Sequence, residues 1–180
     1  MMMTHLFLSL KYAHLLIFKK NSYNCIVTLR EQTAEQHMRD RTLFTLEHLD
    51  FRFPYPRLTQ RGTTGIRVSK AELFNQDNLS GVYAYPSGSG KVRGMTVTYG
   101  FFDEFAHQSN QEENWTATLP ALEGKDCRGV FLSSVEPGTY MEQVANDIPE
   151  HAPFVTVRKG MTYTLNSQGA CVLHLNYRAD

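Results

Sequence analysis

The sequence predicts a mainly β protein: an antiparallel β-sandwich or barrel, jelly-roll included, with one to three short helices and an N-terminal hairpin/helix extension. Three observations carry that expectation. Apolar residues alternate with polar ones in several runs, the period that puts one set of side chains on one sheet face. Gly and Pro clusters separate those runs, as turns between short strands require. Helical periodicity is scarce.

The runs justify the strands in order. Met95, Val97, Tyr99 and Phe101 share one parity, with Thr96 and Thr98 on the other. Trp115, Ala117 and Leu119 alternate with Thr116 and Thr118. Met161, Tyr163 and Leu165 alternate with Thr162 and Thr164, and Cys171, Leu173, Leu175 and Tyr177 alternate with His174 and Asn176. One-sided alternation with short connections is the mark of antiparallel strands. Ser69 to Asn75 opens with Ser and places Glu72 three residues on, a capping box that predicts a single helical turn. Gly138 to Asn146 predicts another short helix.

The first 37 residues differ in texture from the rest. They hold no Gly and no Pro, whereas the remainder holds all twelve Gly and all seven Pro. Residues 1–41 carry six basic groups against three acidic ones, and the remainder carries twelve against fifteen. The expected organisation is therefore an N-terminal extension, 1–37, and a single β-rich domain, 38–180, with Met38 a candidate native start. Within the extension, Tyr12–Phe18 and Tyr23–Leu29 flank Lys19-Lys20-Asn21-Ser22, which predicts a hairpin. Arg30 to Arg39 contains good helix formers and no breaker, which predicts a short helix.

Composition narrows the function. Eighteen basic and eighteen acidic side chains cancel, which argues against nucleic acid or a membrane surface as partner. No apolar run approaches the roughly 20 residues of a bilayer-spanning helix. The apolar stretch Leu6–Phe18 is no secretory signal, because Lys19 and Lys20 follow it where basic residues should precede it. Three cysteines make a poor disulfide framework and predict reduced thiols in the cytoplasm.

Catalytic motifs fail on their spacing. Gly88-Ser-Gly-Lys91 has Tyr85 where a phosphate loop needs Gly and Val92 where it needs a hydroxyl. Cys171 and His174 fall on opposite faces of a strand, so they cannot grip one ion. No Ser stands in a Gly-x-Ser-x-Gly elbow. Cys127 is flanked by Asp126 as well as Arg128, which opposes a lowered thiol pKa. One stretch is better placed. In Asp103-Glu-Phe-Ala-His107 a helical turn would bring Asp103 and His107 to one side, and Glu150 or His151 from a distant loop could complete a mixed oxygen and nitrogen metal site. The simpler account is an acidic loop.

Aromatic residues are the richer signal: eleven Phe, nine Tyr and one Trp. Most belong to a core, and the tyrosines also suit the wall of an amphipathic cavity. The leading expectation is a β domain without catalysis of its own and without a cofactor. It binds a small amphipathic molecule or a protein partner through Trp115, Tyr99, Tyr140, Tyr83 and Tyr85, with Glu104 as a charged contact. The alternative is a metal-assisted or acid–base enzyme using Asp103, Glu104, His107 and His151. A third expectation is a structural component of a phage or mobile element that forms a homo-oligomer through Leu6–Phe18 as an apolar edge strand.

Two stretches resemble known families. The order from Tyr99 through the Trp115 and Val130 strands to Pro137-Gly138-Thr139-Tyr140 is similar to the second half of the effector-binding domains attached to AraC-type and MerR-type regulators. That resemblance implies an aromatic drug-binding cleft. Val157-Arg-Lys-Gly160 to Asn166 and Gly169, then Val172–Tyr177, is similar to the second strand motif of a cupin barrel. Val172–Tyr177 holds no acid where the first family places a Glu, and the cupin His-x-His is absent. No family is assigned, and a cupin-like barrel here would lack its metal.

Overall fold

The computed structural model describes residues 2–49, 57–59, 63–88, 92, 95–122, 124, 127–134, 136–159 and 161–175. The chain divides into two compact units, Met1–Ser134 and Val135–Asp180.

The first unit opens with α1 (Met2–Phe18) and β1 (Tyr23–Thr28). Leu8, Tyr12, Leu15 and Leu16 are buried while Phe7, Leu10 and Phe18 are exposed. That spacing is the helix period, and no Gly or Pro interrupts it. The predicted hairpin is therefore a helix followed by a strand, and the proposed oligomerisation strand is a helix with one face in the core. The last carbonyls of α1 need partners. Asn75 Nδ2 donates to Leu16 O at 2.8 Å, and Asn78 Nδ2 donates to Leu16 O and Ile17 O at 3.1 and 3.0 Å. Asn21, at φ 52°, makes the turn into β1.

A helical run follows: α2 (Glu31–His37), a π-helical segment (Met38–Leu43) and α3 (Phe44–Glu47). The helix expected in Arg30–Arg39 is there. The change in composition near Met38 falls inside this run, and Met38 itself is fully buried. Next come β2 (Leu58–Thr59), β3 (Ile66–Val68), β4 (Glu72–Asn75), β5 (Ser80–Pro86) and β6 (Tyr99–Phe102). A 3-10 turn (Phe105–His107), α4 (Gln111–Thr118), a second 3-10 turn (Leu119–Leu122) and β7 (Arg128–Phe131) complete the unit.

Among the described residues the sheet has seven strands in the order β2-β3-β4-β5-β1-β6-β7. Strands β5, β1, β6 and β7 run parallel to one another, and β4 pairs antiparallel with both β3 and β5. Central β1 is buried from Asn24 to Thr28 without alternation, as a parallel strand covered on both faces should be. Leu8, Tyr12 and Leu16 of α1, Ala34 and Met38 meet Ile26, Leu73, Val82 and Phe101 in one core. Tyr12 also donates its hydroxyl hydrogen to Cys25 O at 2.7 Å.

The second unit holds α5 (Tyr140–Asn146) and an antiparallel sheet of β8 (Val155–Arg158), β9 (Met161–Leu165) and β10 (Cys171–Leu175) in the order β10-β9-β8. Thr139 caps α5 by accepting from Glu142 N at 3.2 Å, and Gly138 N donates to Glu142 Oε2 at 2.7 Å. Both features follow the sequence: the helix in Gly138–Asn146 and the two alternating runs of β9 and β10.

The antiparallel sandwich or barrel is overturned. The architecture is mixed α/β, with a largely parallel sheet and helices, and it is neither β-rich nor cupin-like. Two local errors produced the wrong class. The Trp115 run is helix α4, in which Trp115 and Thr118 are the buried pair, and the Ser69–Asn75 turn is a β3–β4 connection closed by Ser69 N donating to Glu72 O at 2.8 Å. Residues 89–91 of the Gly-Ser-Gly-Lys stretch lie outside the described residues. Among the described residues, no helix is long and apolar enough to cross a membrane.

Candidate functional site

In an open parallel sheet, ligands bind beyond the carboxyl ends of the strands. Here those ends belong to β1, β5, β6 and β7. Strand β6 reads Tyr99-Gly-Phe-Phe102, apolar because it lies between β1 and β7. A Cβ on Gly100 would sit 2.8 Å from the Phe102 ring, so the strand keeps Gly there. The next two residues are Asp103 and Glu104.

The backbone fixes both acids. Asp103 N donates to Val27 O of β1 at 2.8 Å, and Phe105 N donates to Leu132 O beyond β7 at 3.1 Å. Between them Glu104 adopts a left-handed conformation, φ 49° and ψ 43°. A non-glycine residue there stores of order 1 kcal/mol of strain, a cost that gathers at functional sites.

Asp103 is 5% exposed. Its Oδ2 lies 3.5 Å from His37 Nε2, at the end of α2. Burial pushes the Asp103 carboxyl above its usual range, while His37, the Glu104 amide and Arg41 pull it back. Burial likewise pushes the His37 imidazole below its usual 6.5, against the pull of Asp103 and Asp40. Glu104 Oε2 is 3.6 Å from His107 Nε2, and that nitrogen is 2.9 Å from Ser134 Oγ. Glu104 Oε2 and Arg41 Nη1 are both buried and have no hydrogen-bond partner among the described residues. Asn24 Oδ1, Thr42 Oγ1 and Trp115 Nε1 share that condition.

The residues expected to form a site fall in several places. Asp103 meets His37, and His107 meets Glu104 and Ser134. His151 and Tyr140 lie in the second unit, His151 exposed and Tyr140 opening α5. Trp115 is buried against Phe131 and Phe105, with ring centroids at 4.6 and 6.1 Å. Tyr83 stacks on Tyr23 at 4.5 Å and lies 6.2 Å from Tyr85, and the Tyr23 and Tyr85 hydroxyls are hydrogen-bonded. Tyr99 packs edge-on against Tyr12 at 5.5 Å. His37 and Arg41 went unread in the sequence, because nothing local distinguishes them from other polar residues of a helix. The signal for the acids was present: an apolar strand that ends in Asp-Glu.

Among the described residues no three His, Cys, Asp or Glu side chains are placed to hold a metal ion. Magnesium does not need such a cage. It takes one or two carboxylates and fills its shell with water and substrate phosphates. Asp103 offers one such carboxylate, with its Oδ2 facing His37.

No protein-family model matches the sequence, and no curated protein matches it. Solved structures do. The chain superposes on the ATPase domain of the large terminase of Thermus phage P74-26 with a TM-score of 0.61 at 15% identity. The fold resembles that of a phage terminase ATPase domain. A single-substitution mutant of that domain gives the same TM-score at 14% identity. In both comparisons 83% of this chain is covered, and the chain spans 62% of the neighbour's length.

The likeness corrects two expectations beyond the fold class. The expectation of no nucleic-acid partner rested on net charge alone and is overturned: the solved structures with a similar fold are terminase ATPase domains. Nor do the neighbours support a small-molecule binding β domain. They are phage proteins, the source named by the third expectation.

Proposed function

We propose that the chain forms part of a phage or mobile-element ATPase domain of the DNA-packaging type, with its nucleotide and metal chemistry at Asp103 and Glu104. The observation that carries this reading is the acid pair itself. A buried Asp and a strained Glu stand at the carboxyl end of a parallel strand, in a fold similar to a terminase ATPase domain. Asp103 would hold a Mg²⁺ ion, which would neutralise charge on the nucleotide phosphates, and Glu104 would orient a water. Asp103 suits the first task because the Glu104 amide, the His37 imidazole and the Arg41 guanidinium surround its carboxylate. Glu104 suits the second because its Oε2 is committed to no hydrogen bond. Arg41, with an unpartnered Nη1, suits charge on the transferring phosphoryl group.

The sequence holds no Gly-x-x-x-x-Gly-Lys-Ser/Thr. The phosphate cradle of such a domain would come from outside these residues. The chain alone is then expected to bind nucleotide weakly and in a metal-dependent way. The free thiols Cys25, Cys127 and Cys171 suit a reducing cytoplasm. Titration of the chain with ATP in the presence and absence of Mn²⁺, followed by metal relaxation, tests the reading. Metal-dependent binding that Asp103→Asn weakens at least about tenfold supports it. Binding without metal dependence, no binding, or binding indifferent to Asp103→Asn overturns it.

A further inference from the structure

The opposite end of β6 carries the opposite chemistry. Where α1 meets the first residues of β6 and β7, a cleft of about 320 Å³ opens. Lys11, His14, Phe18 and Lys19 reach it from α1 and its carboxyl end, and Tyr99 and Arg128 from the strands. Among the described residues that line it, none is acidic. The pattern follows from α1. Its buried stripe, Leu8, Tyr12 and Leu16, faces the sheet, and Lys11, His14 and Phe18 form the adjoining stripe at spacings of three and four.

The lining is held in position. Arg128 Nη1 donates to Cys127 O at 2.7 Å. The Tyr99 ring rests on Tyr12, and burial pushes its hydroxyl pKa up. His14 and Phe18 lie ring to ring, with centroids 5.0 Å apart. A cleft walled by one sign of charge focuses its potential on an incoming ion of the other sign. Lys11 and Lys19 are separated by roughly 12 Å along the axis of α1. That spread matches several steps of a phosphate backbone, at about 3.4 Å of rise per nucleotide, better than a single phosphate.

The geometry points to a nucleic-acid backbone site in this cleft, with Lys11, Lys19 and Arg128 contacting phosphates and the His14–Phe18 edge facing sugar or base. The assignment does not rest on the nucleotide reading of Asp103. The two sites occupy opposite ends of a four-residue strand, roughly 13 Å apart at the usual rise.

The test is the affinity of the full chain for a short fluorescent DNA duplex, measured by anisotropy across a salt series. Binding is expected to weaken with salt at a log–log slope of about −0.9 per phosphate contacted. Lys11→Ala, Lys19→Ala and Arg128→Ala should each cut that slope by about 1. The triple variant should lose roughly tenfold or more in affinity at low salt. All three side chains are at least partly exposed, and thermal melts establish that the variants fold. Arg158→Ala with Lys159→Ala, on the exposed β8 hairpin, should leave affinity unchanged. Asp103→Asn should also leave DNA affinity unchanged, so loss of nucleotide binding and loss of DNA binding report on separate claims. Unchanged DNA affinity in the triple variant overturns the site. So does inorganic pyrophosphate binding to the cleft in a chain that shows no DNA affinity, which would make it a site for free phosphate.

Discussion

The two ends of β6 are built from one strand and face opposite tasks. At the carboxyl end Asp103 is buried, Glu104 is strained, and Glu104 Oε2 is buried with no hydrogen-bond partner among the described residues. At the amino end Tyr99 opens onto a cleft of cations that are partly solvated. The difference teaches where precision is needed. A metal and a transferring phosphoryl group demand fixed geometry in a low-dielectric place, and burial of Asp103 provides both. A phosphate backbone demands only density of positive charge, and long side chains at a surface provide that.

The comparison can be broken most severely in the middle of the strand. Phe101 is 2% exposed and lies between the two ends. Phe101→Ala should cost about 3–5 kcal/mol of stability, measured by urea unfolding. It should disable both sites together, and a folded variant that loses only one would show that they are not coupled through the strand.

Asp103→Asn comes next. It should remove metal-dependent nucleotide binding by at least about tenfold, near 1.4 kcal/mol, while the amino end keeps its affinity for DNA. A smaller effect is expected from pH. The folded-state pKa of His37 is depressed below 6.5. Its contribution to stability is therefore present above pH 6.5 and is lost as pH falls through the depressed value. Asp103 acts with the opposite sign: its raised folded pKa gives stability that is full below 3.8 and is lost as pH rises. The melting temperature of the parent chain should fall as pH drops below 6.5, and His37→Gln should flatten that fall. Identical profiles would remove His37 from the account.

The smallest expected effect sharpens the contrast. Glu104→Gly relieves the left-handed strain and should raise stability by about 1 kcal/mol in chemical denaturation, while removing the carboxylate. No comparable gain is available at the amino end, where Tyr99 and Arg128 lie in ordinary strands. A Glu104→Gly variant that loses stability would show that the carboxylate stabilises the fold more than the conformation strains it.

Part of this molecule was legible before its fold. The β9–β10 pair was readable as strands from its polar–apolar alternation, although Thr164 is buried while Leu165 and Leu173 are exposed. The short helix in Gly138–Asn146 was readable, and in the structure Thr139 caps it by accepting from Glu142 N. Asp103, Glu104 and His107 were readable as a cluster of chemistry-bearing residues, since they are adjacent in the chain. Their partners were not. His37 and Arg41 reach Asp103 only because β1 and β6 lie side by side, and the positively charged cleft exists only because α1 crosses the start of β6.

The sequence by itself determined what depends on neighbours along the chain: the capped helix, the alternating hairpin, and a greasy strand that stops at two acids. Tertiary structure decided the rest. A parallel strand is covered on both faces and pairs with segments far away in the chain. Its hydropathy therefore records that it is buried and nothing of which strand lies beside it, and it is those neighbours that assemble both ends of β6.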